Sequence, residues 1–241
     1  MSKALQKFLP FILLALSFSS YAQLSVGARA GYGAYGVYFE PDLNKYQVPY
    51  LLYNTGLMFV YNNENNAGVQ FEINYAQKGW QEQDTSVIGS NFTRRIDYLE
   101  IPFYSHWEIG FGKVRPMLIL GPYLAFKLGE TTGSTNFSHL WNEKNPHNHY
   151  EQEIRPLDFG IKIIVGIKYN ITKRFGIFID ARYDFQLAGG SNIFIDRPNE
   201  INASRLKELS GSFGILWNIK TQKKKIVKEG YEPTKDFMEE E

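Results

Sequence analysis

Apolar and polar positions alternate with a period of two along most of the chain. In Val69-Gln70-Phe71-Glu72-Ile73-Asn74-Tyr75, Val69, Phe71, Ile73 and Tyr75 point one way and Gln70, Glu72 and Asn74 the other. Leu99, Ile101, Phe103 and Trp107 oppose Glu100, Tyr104, His106 and Glu108 in the same manner. Leu157, Phe159, Ile161, Ile163, Val165 and Ile167 oppose Asp158, Lys162 and Lys168; Phe175, Ile177, Ile179, Tyr183 and Phe185 oppose Asp180, Arg182, Asp184 and Gln186. The pattern predicts eight strands, at 24–38, 49–61, 67–80, 96–109, 114–128, 156–169, 174–187 and 206–219. Each exceeds the ~9–11 residues that a tilted strand needs to cross a bilayer. Asn62–Asn66, Gly110–Lys113 and Asn170–Lys173 are tight polar turns. Glu40–Val48, Gln81–Arg95, Gly129–Arg155 and Ala188–Arg205 are longer connections. Short turns alternating with long loops predict an all-β fold: an eight-stranded antiparallel up-and-down transmembrane β-barrel, turns periplasmic, loops outside, both termini periplasmic.

The direction of the alternation decides between a soluble and a membrane barrel. The polar set carries a lumen charge network of Arg29, Glu72, Glu100, Arg115, Asp158, Lys162, Asp180, Arg182 and Asp184, with Glu108 and Lys168 on the same face. The apolar set carries almost no charge. Its aromatic residues Tyr61, Trp107, Tyr169, Phe175 and Trp217 all fall at the turn ends of strands, where a girdle meets the interface. The charged face therefore points inward and the apolar face toward lipid. A lumen of eight strands is just wide enough for side chains to fill it, and its acids and bases are close to balanced. The expectation is a paired, side-chain-filled lumen and not an open pore. Pro102 and Pro122 inside strands mark bulges or local kinks, with Gly121 aiding a close approach.

Composition agrees. Aromatics make up 16% of the 241 residues, high for a soluble domain, and the mean hydropathy of −0.32 excludes a bundle of transmembrane helices. Cysteine is absent, which excludes a lipid-anchored N-terminus, disulfides and thiolate metal sites. Lys3 and Lys7 precede an apolar run, Phe8–Phe18, and the small-x-small site Ser20-Tyr21-Ala22. Residues 1–22 thus read as a signal peptide, 23–219 as the barrel and 220–241 as a charged periplasmic tail, basic at Lys223–Lys225 and acidic at Glu239–Glu241. The tail reads as solvated, with docking of a periplasmic protein as its functional alternative.

Candidate chemistry is sparse. His139, His147 and His149 lie in the loop Gly129–Arg155 as weak metal candidates, and their spacing suits a solvated loop better than a site. His106, Glu108 and Glu100 share one face, but no nucleophile stands beside them, and lumen pairing explains them more simply. Aromatic and basic residues segregate to opposite faces, and the net charge is +1, so nucleic acid is excluded as a partner. No cofactor is expected. The expected partner is outer-membrane lipid.

Several strands resemble the PorT-type outer-membrane β-barrel proteins of Bacteroidetes. Gln70-Phe71-Glu72-Ile73-Asn74-Tyr75-Ala76-Gln77-Lys78-Gly79-Trp80 looks like that family's third strand, and Asp97-Tyr98-Leu99-Glu100-Ile101-Pro102-Phe103 like its Tyr-Leu-Glu-Ile-Pro strand. Gly121-Pro122-Tyr123 and Asp158-Phe159-Gly160 resemble its next two signatures. The resemblance implies an eight-stranded outer-membrane barrel, and its namesake takes part in protein secretion by the type IX route. The expected function is that of a non-enzymatic structural or binding barrel acting through its outer loops. An accessory part of a secretion machine is the first alternative; a narrow porin or an outer-membrane enzyme is the second.

Overall fold

The structure, a computed structural model, describes residues 23–40, 47–63, 66–83, 90–110, 112–135, 152–187, 193–195 and 203–220. Nine strands are present in them: β1 (Gln23–Glu40), β2 (Gln47–Val48), β3 (Tyr50–Asn62), β4 (Ala67–Glu82), β5 (Asn91–Glu108), β6 (Val114–Thr135), β7 (Leu157–Asn170), β8 (Phe175–Gln186) and β9 (Ala203–Lys220). β2 is a two-residue rung on β4. The other eight are long and form a ring. Each pairs antiparallel with its successor, and β1 pairs with both β3 and β9, so no edge is left open.

The eight strands coincide with the alternating segments, but the β5–β6 hairpin is longer than the alternation predicts. It runs on from Ile96↔Glu130 through Arg94↔Thr132 to Asn91↔Thr135. The outward positions of this end, Asn91, Thr93 and Arg95, are polar, so the lipid-facing half of the period-two signal is absent although the ladder continues. A register shift falls at Asp97/Tyr98. At the prolines the ladder is interrupted instead of bulged. Pro102↔Tyr123 and Ser105↔Leu120 keep one register, with unpaired residues between them. Pro has no N–H to donate, and the backbones compensate by close approach. A Cβ on Gly121 would stand 2.3 Å from the Phe103 carbonyl oxygen.

The faces separate as the alternation requires. Leu118, Leu120, Ile161, Ile163, Val165, Ile179, Phe213 and Ile215 are exposed on the outer wall. Such a continuous apolar belt has lipid as its solvent. The inner face is buried, and it is not uniformly polar. Met58, Val60, Tyr104, Met117, Ile119, Ile164, Phe178 and Leu216 form one apolar layer toward the turns. Phe39, Trp80, Phe92, Tyr98, Tyr123, Ile154 and Phe194 belong to a second toward the loops.

Candidate functional site

The lumen holds three polar clusters, the second and third joined through Gln70. In the first, Lys162 Nζ lies 3.1 Å from Glu100 Oε2, 3.3 Å from Glu208 Oε2 and 3.5 Å from Asp184 Oδ2. Lys78 Nζ lies 2.6 Å from Glu100, 2.8 Å from Asp184 and 3.7 Å from Asp158, and sits 4.3 Å from the centre of the Tyr123 ring. Carboxylate oxygens of Glu100, Asp184 and Glu208 come within 4.8 Å of one another, a spacing that suits a cation. Here the cation is an ammonium group of the chain itself. A metal would have to displace Lys162 and leave that charge buried.

The second cluster centres on Arg182, whose donors are shared between two acids. Its Nε donates to Asp180 Oδ1 at 2.9 Å and its Nη1 to Glu72 Oε2 at 3.0 Å. Arg29 Nε donates to the same Glu72 oxygen at 3.1 Å, and Asn74 and Gln70 complete the carboxylate's partners. Ser212 donates to Asp180 at 2.6 Å. A bidentate guanidinium with satisfied acceptors is the arrangement that makes a buried ion pair tolerable.

Gln70 leads to the third cluster. His106 Nδ1 stands 2.6 Å from Gln70 Oε1, and His106 Nε2 stands 3.3 Å from Glu108. Glu108 also accepts from Lys168, from Arg115 Nη1 at 3.0 Å and from Asn62 at 3.0 Å. Arg115 reaches Asn66 in the β3–β4 turn, and Asn66 donates to the Gly110 carbonyl at 2.9 Å. The lower mouth is thereby laced to its own turns. Asn66 adopts φ 59°, a conformation that asparagine tolerates.

At the loop end, chain from two long connections meets. Ile154 bridges Phe194, with Arg155 N donating to Ile193 O at 2.9 Å and Ile195 N to Glu153 O at 2.9 Å. Phe194 is fully buried, stacked with Phe39 at 6.3 Å and edge-on to Trp80 at 6.5 Å. Arg94 lies over the rings of both Trp80 and Phe194, and it bonds to Glu130 and to the Gln152 carbonyl. Lys127 donates to Ile154 O at 3.0 Å.

All nine residues assigned to the lumen charge network from the sequence face the interior. Eight are buried; Arg115 is partly exposed at the turn-end mouth. Three partners escaped that assignment. Lys78 follows Ala76 and Gln77 in a stretch of β4 where five successive residues are buried, so alternation gives no sign of it. Glu208 lies on a strand whose other inward residues are mostly small or apolar, and Arg94 lies in the polar extension of β5. The His106, Glu108 and Glu100 grouping is divided: His106 meets Glu108, whereas Glu100 belongs to the lysine cluster. Trp107, Tyr169 and Trp217 are exposed on the outer wall at the turn end, with Tyr61 and Phe175 half-buried beside them. Phe175 and Trp217 meet at 6.5 Å. His139, His147 and His149, the proposed signal peptide and the tail after Lys220 lie outside the described residues.

A closed ring of eight membrane-length strands, apolar outside and ion-paired inside, defines an integral outer-membrane β-barrel. The sequence profile of the outer membrane protein beta-barrel domain matches residues 17–189, and the chain belongs to that family. Among solved structures it is similar to the outer membrane protein OprG from Pseudomonas aeruginosa, at 11% identity and a TM-score of 0.50, covering 83% of this chain and 96% of that one. It is also similar to Neisserial surface protein A, at 14% identity and a TM-score of 0.42, covering 82% and 99%. No curated protein matches the sequence.

Proposed function

We propose that this is a non-enzymatic structural or binding barrel of the outer membrane, with a filled lumen that serves as a rigid scaffold for its long loops. The carrying observation is the occupied interior: three ion-paired clusters interleave there with two apolar layers beneath a stapled loop-end mouth. Residues 1–22 act as the signal peptide, the turns and both termini face the periplasm, and the loops face outward. A narrow porin needs a continuous water path, which these layers obstruct. An enzyme needs an accessible nucleophile or activated water, whereas His106 is fully buried between Gln70 and Glu108. Planar-bilayer recording tests the reading: folded wild-type barrel gives no discrete steps, and reproducible steps refute it.

The PorT-type resemblance supports a second reading, an accessory role in type IX secretion. Its signature residues include Lys78, Trp80, Glu100, Tyr123 and Asp158, all of which line the lumen. These five lie inside the barrel, and a secretion role would have to use the turns, a lipid-facing strand or the charged tail. Purification in mild detergent separates the two readings. A stoichiometric periplasmic or membrane partner supports secretion; recovery of the barrel alone counts against it.

A further inference from the structure

On the outer wall, at the loop end of β1, β8 and β9, lies a cavity of about 360 Å³. Tyr38, Glu40, Phe185, Arg205 and Lys207 are among its lining residues. The strand register brings them together: Tyr38 is opposite Arg205, and Lys207 is opposite both Gly36 and Phe185. Lys207 Nζ stands 4.9 Å from the centre of the Tyr38 ring, and the Arg205 guanidinium stands 5.9 Å from that of Phe185. Gly36 leaves the floor beside Lys207 open, since a Cβ there would meet only the Gln47 amide oxygen at 3.5 Å.

The position of this cavity is as informative as its chemistry. Below Lys207 the outward positions of β9 are Leu209, Gly211, Phe213, Ile215 and Trp217, none of them charged. A rise of ~3.3 Å per residue and a tilt of ~40° put Lys207 roughly 25 Å above Trp217. That is about the height of the apolar band of such barrels. Arg205 and Lys207 therefore stand where hydrocarbon gives way to headgroups; of the two acids that line the cavity, Asp184 turns its carboxylate inward to Lys78 and Lys162, and Glu40 is exposed on the outer side.

We infer that this cavity binds the phosphate of an anionic lipid headgroup in the loop-side leaflet. Arg205 and Lys207 hold the phosphate, Tyr38 and Phe185 fix the two cations, and the acyl chains lie on the exposed Tyr183 and Leu209 below. A guanidinium and an ammonium together suit a phosphate by charge-assisted hydrogen bonds. A lipid is favoured over a free anion because the cavity opens directly above the apolar wall.

The test is native mass spectrometry of the folded barrel in dodecyl maltoside with phosphatidic acid, phosphatidylcholine or inorganic phosphate added. Wild-type protein is expected to retain one phosphatidic acid at least ~10-fold more tightly than phosphatidylcholine, whose ammonium cancels the phosphate charge. R205Q/K207Q removes this preference, while K173Q/R174Q, with the same charge loss at the turn end, keeps it. Should the double variant fail to fold, Glu40→Gln serves instead and is expected to strengthen retention. Equal retention of the two lipids overturns the inference. So does loss of preference in K173Q/R174Q, or unchanged retention in Glu40→Gln. Binding of inorganic phosphate as tight as that of phosphatidic acid also overturns it, because the site would then be for a free anion.

Discussion

Arg182→Met is the most searching perturbation of the lumen. Arg182 is fully buried, and its guanidinium serves Asp180 at 2.9 and 3.0 Å and Glu72 at 3.0 and 3.3 Å. Methionine fills much of the volume and removes the charge. Glu72 then keeps Arg29 at 3.1 Å, while Asp180 keeps only the Ser212 hydroxyl among its side-chain partners here. Removing one member of a buried pair strands the other, at a cost of about 3–5 kcal/mol. Asp180→Asn alone leaves Arg182 with Glu72 and is expected to cost about 1–3 kcal/mol. In the double variant one cation, Arg29, faces one carboxylate, Glu72, and neither is stranded. The double loss is therefore smaller than the sum of the single losses, with a coupling of about 2 kcal/mol. The assay is urea unfolding in phospholipid vesicles, followed by tryptophan emission and by the gel shift between folded and boiled protein. A loss below about 1 kcal/mol for Arg182→Met, or additivity of the two changes, refutes the claim that this cluster is a dry ion-pair network.

Three further predictions use other parts of the wall and lumen. Val165→Arg, in the middle of the lipid-facing side of β7, is expected to cost about 2–4 kcal/mol in the same vesicle assay. Gly214→Ala places a methyl 2.2 Å from the Phe178 ring and 2.7 Å from the Ala28 carbonyl. A loss of about 1–3 kcal/mol is expected from this overpacking, and an unchanged urea midpoint contradicts it. Arg94→Met releases Glu130 and the Gln152 carbonyl, so limited proteolysis near 152–155 and 193–195 is expected to quicken while the barrel stays folded and non-conducting. Conductance in that variant would mean that the loop cap is the sole barrier.

Strand number, pairing order and the sense of the faces were legible in the sequence because lipid and lumen impose opposite polarity on alternate residues. The same physics explains what was not legible. The polar extension of β5 and β6 has water on its exposed face, so it lacks the apolar half of the alternation. Lys78 escaped notice because Ala76, Gln77, Lys78, Gly79 and Trp80 are buried in succession. The inner apolar layers were missed because Met117, Ile119 and Ile164 are apolar residues on the inner face, among neighbours that are apolar on the outer face. The loop cap depends on contacts of Ile154 and Phe194 with Phe39, Trp80 and Arg94, distant in the chain and carrying no local period. The prolines were read as bulges or local kinks, and a gap in the β5–β6 ladder lies there.

The central claim, that the lumen is filled and closed to water, is tested most directly by a single engineered thiol. The chain has no cysteine, so Ser210→Cys introduces one unique label site among the buried lumen residues. Ser210 lies beside Glu208, at 2.7 Å, in the lysine cluster, and a sulfur there changes little volume. A membrane-impermeant maleimide should leave the folded barrel unlabelled for hours and react within minutes once urea unfolds it. Rapid labelling of the folded protein would show a water-filled interior and contradict the scaffold reading.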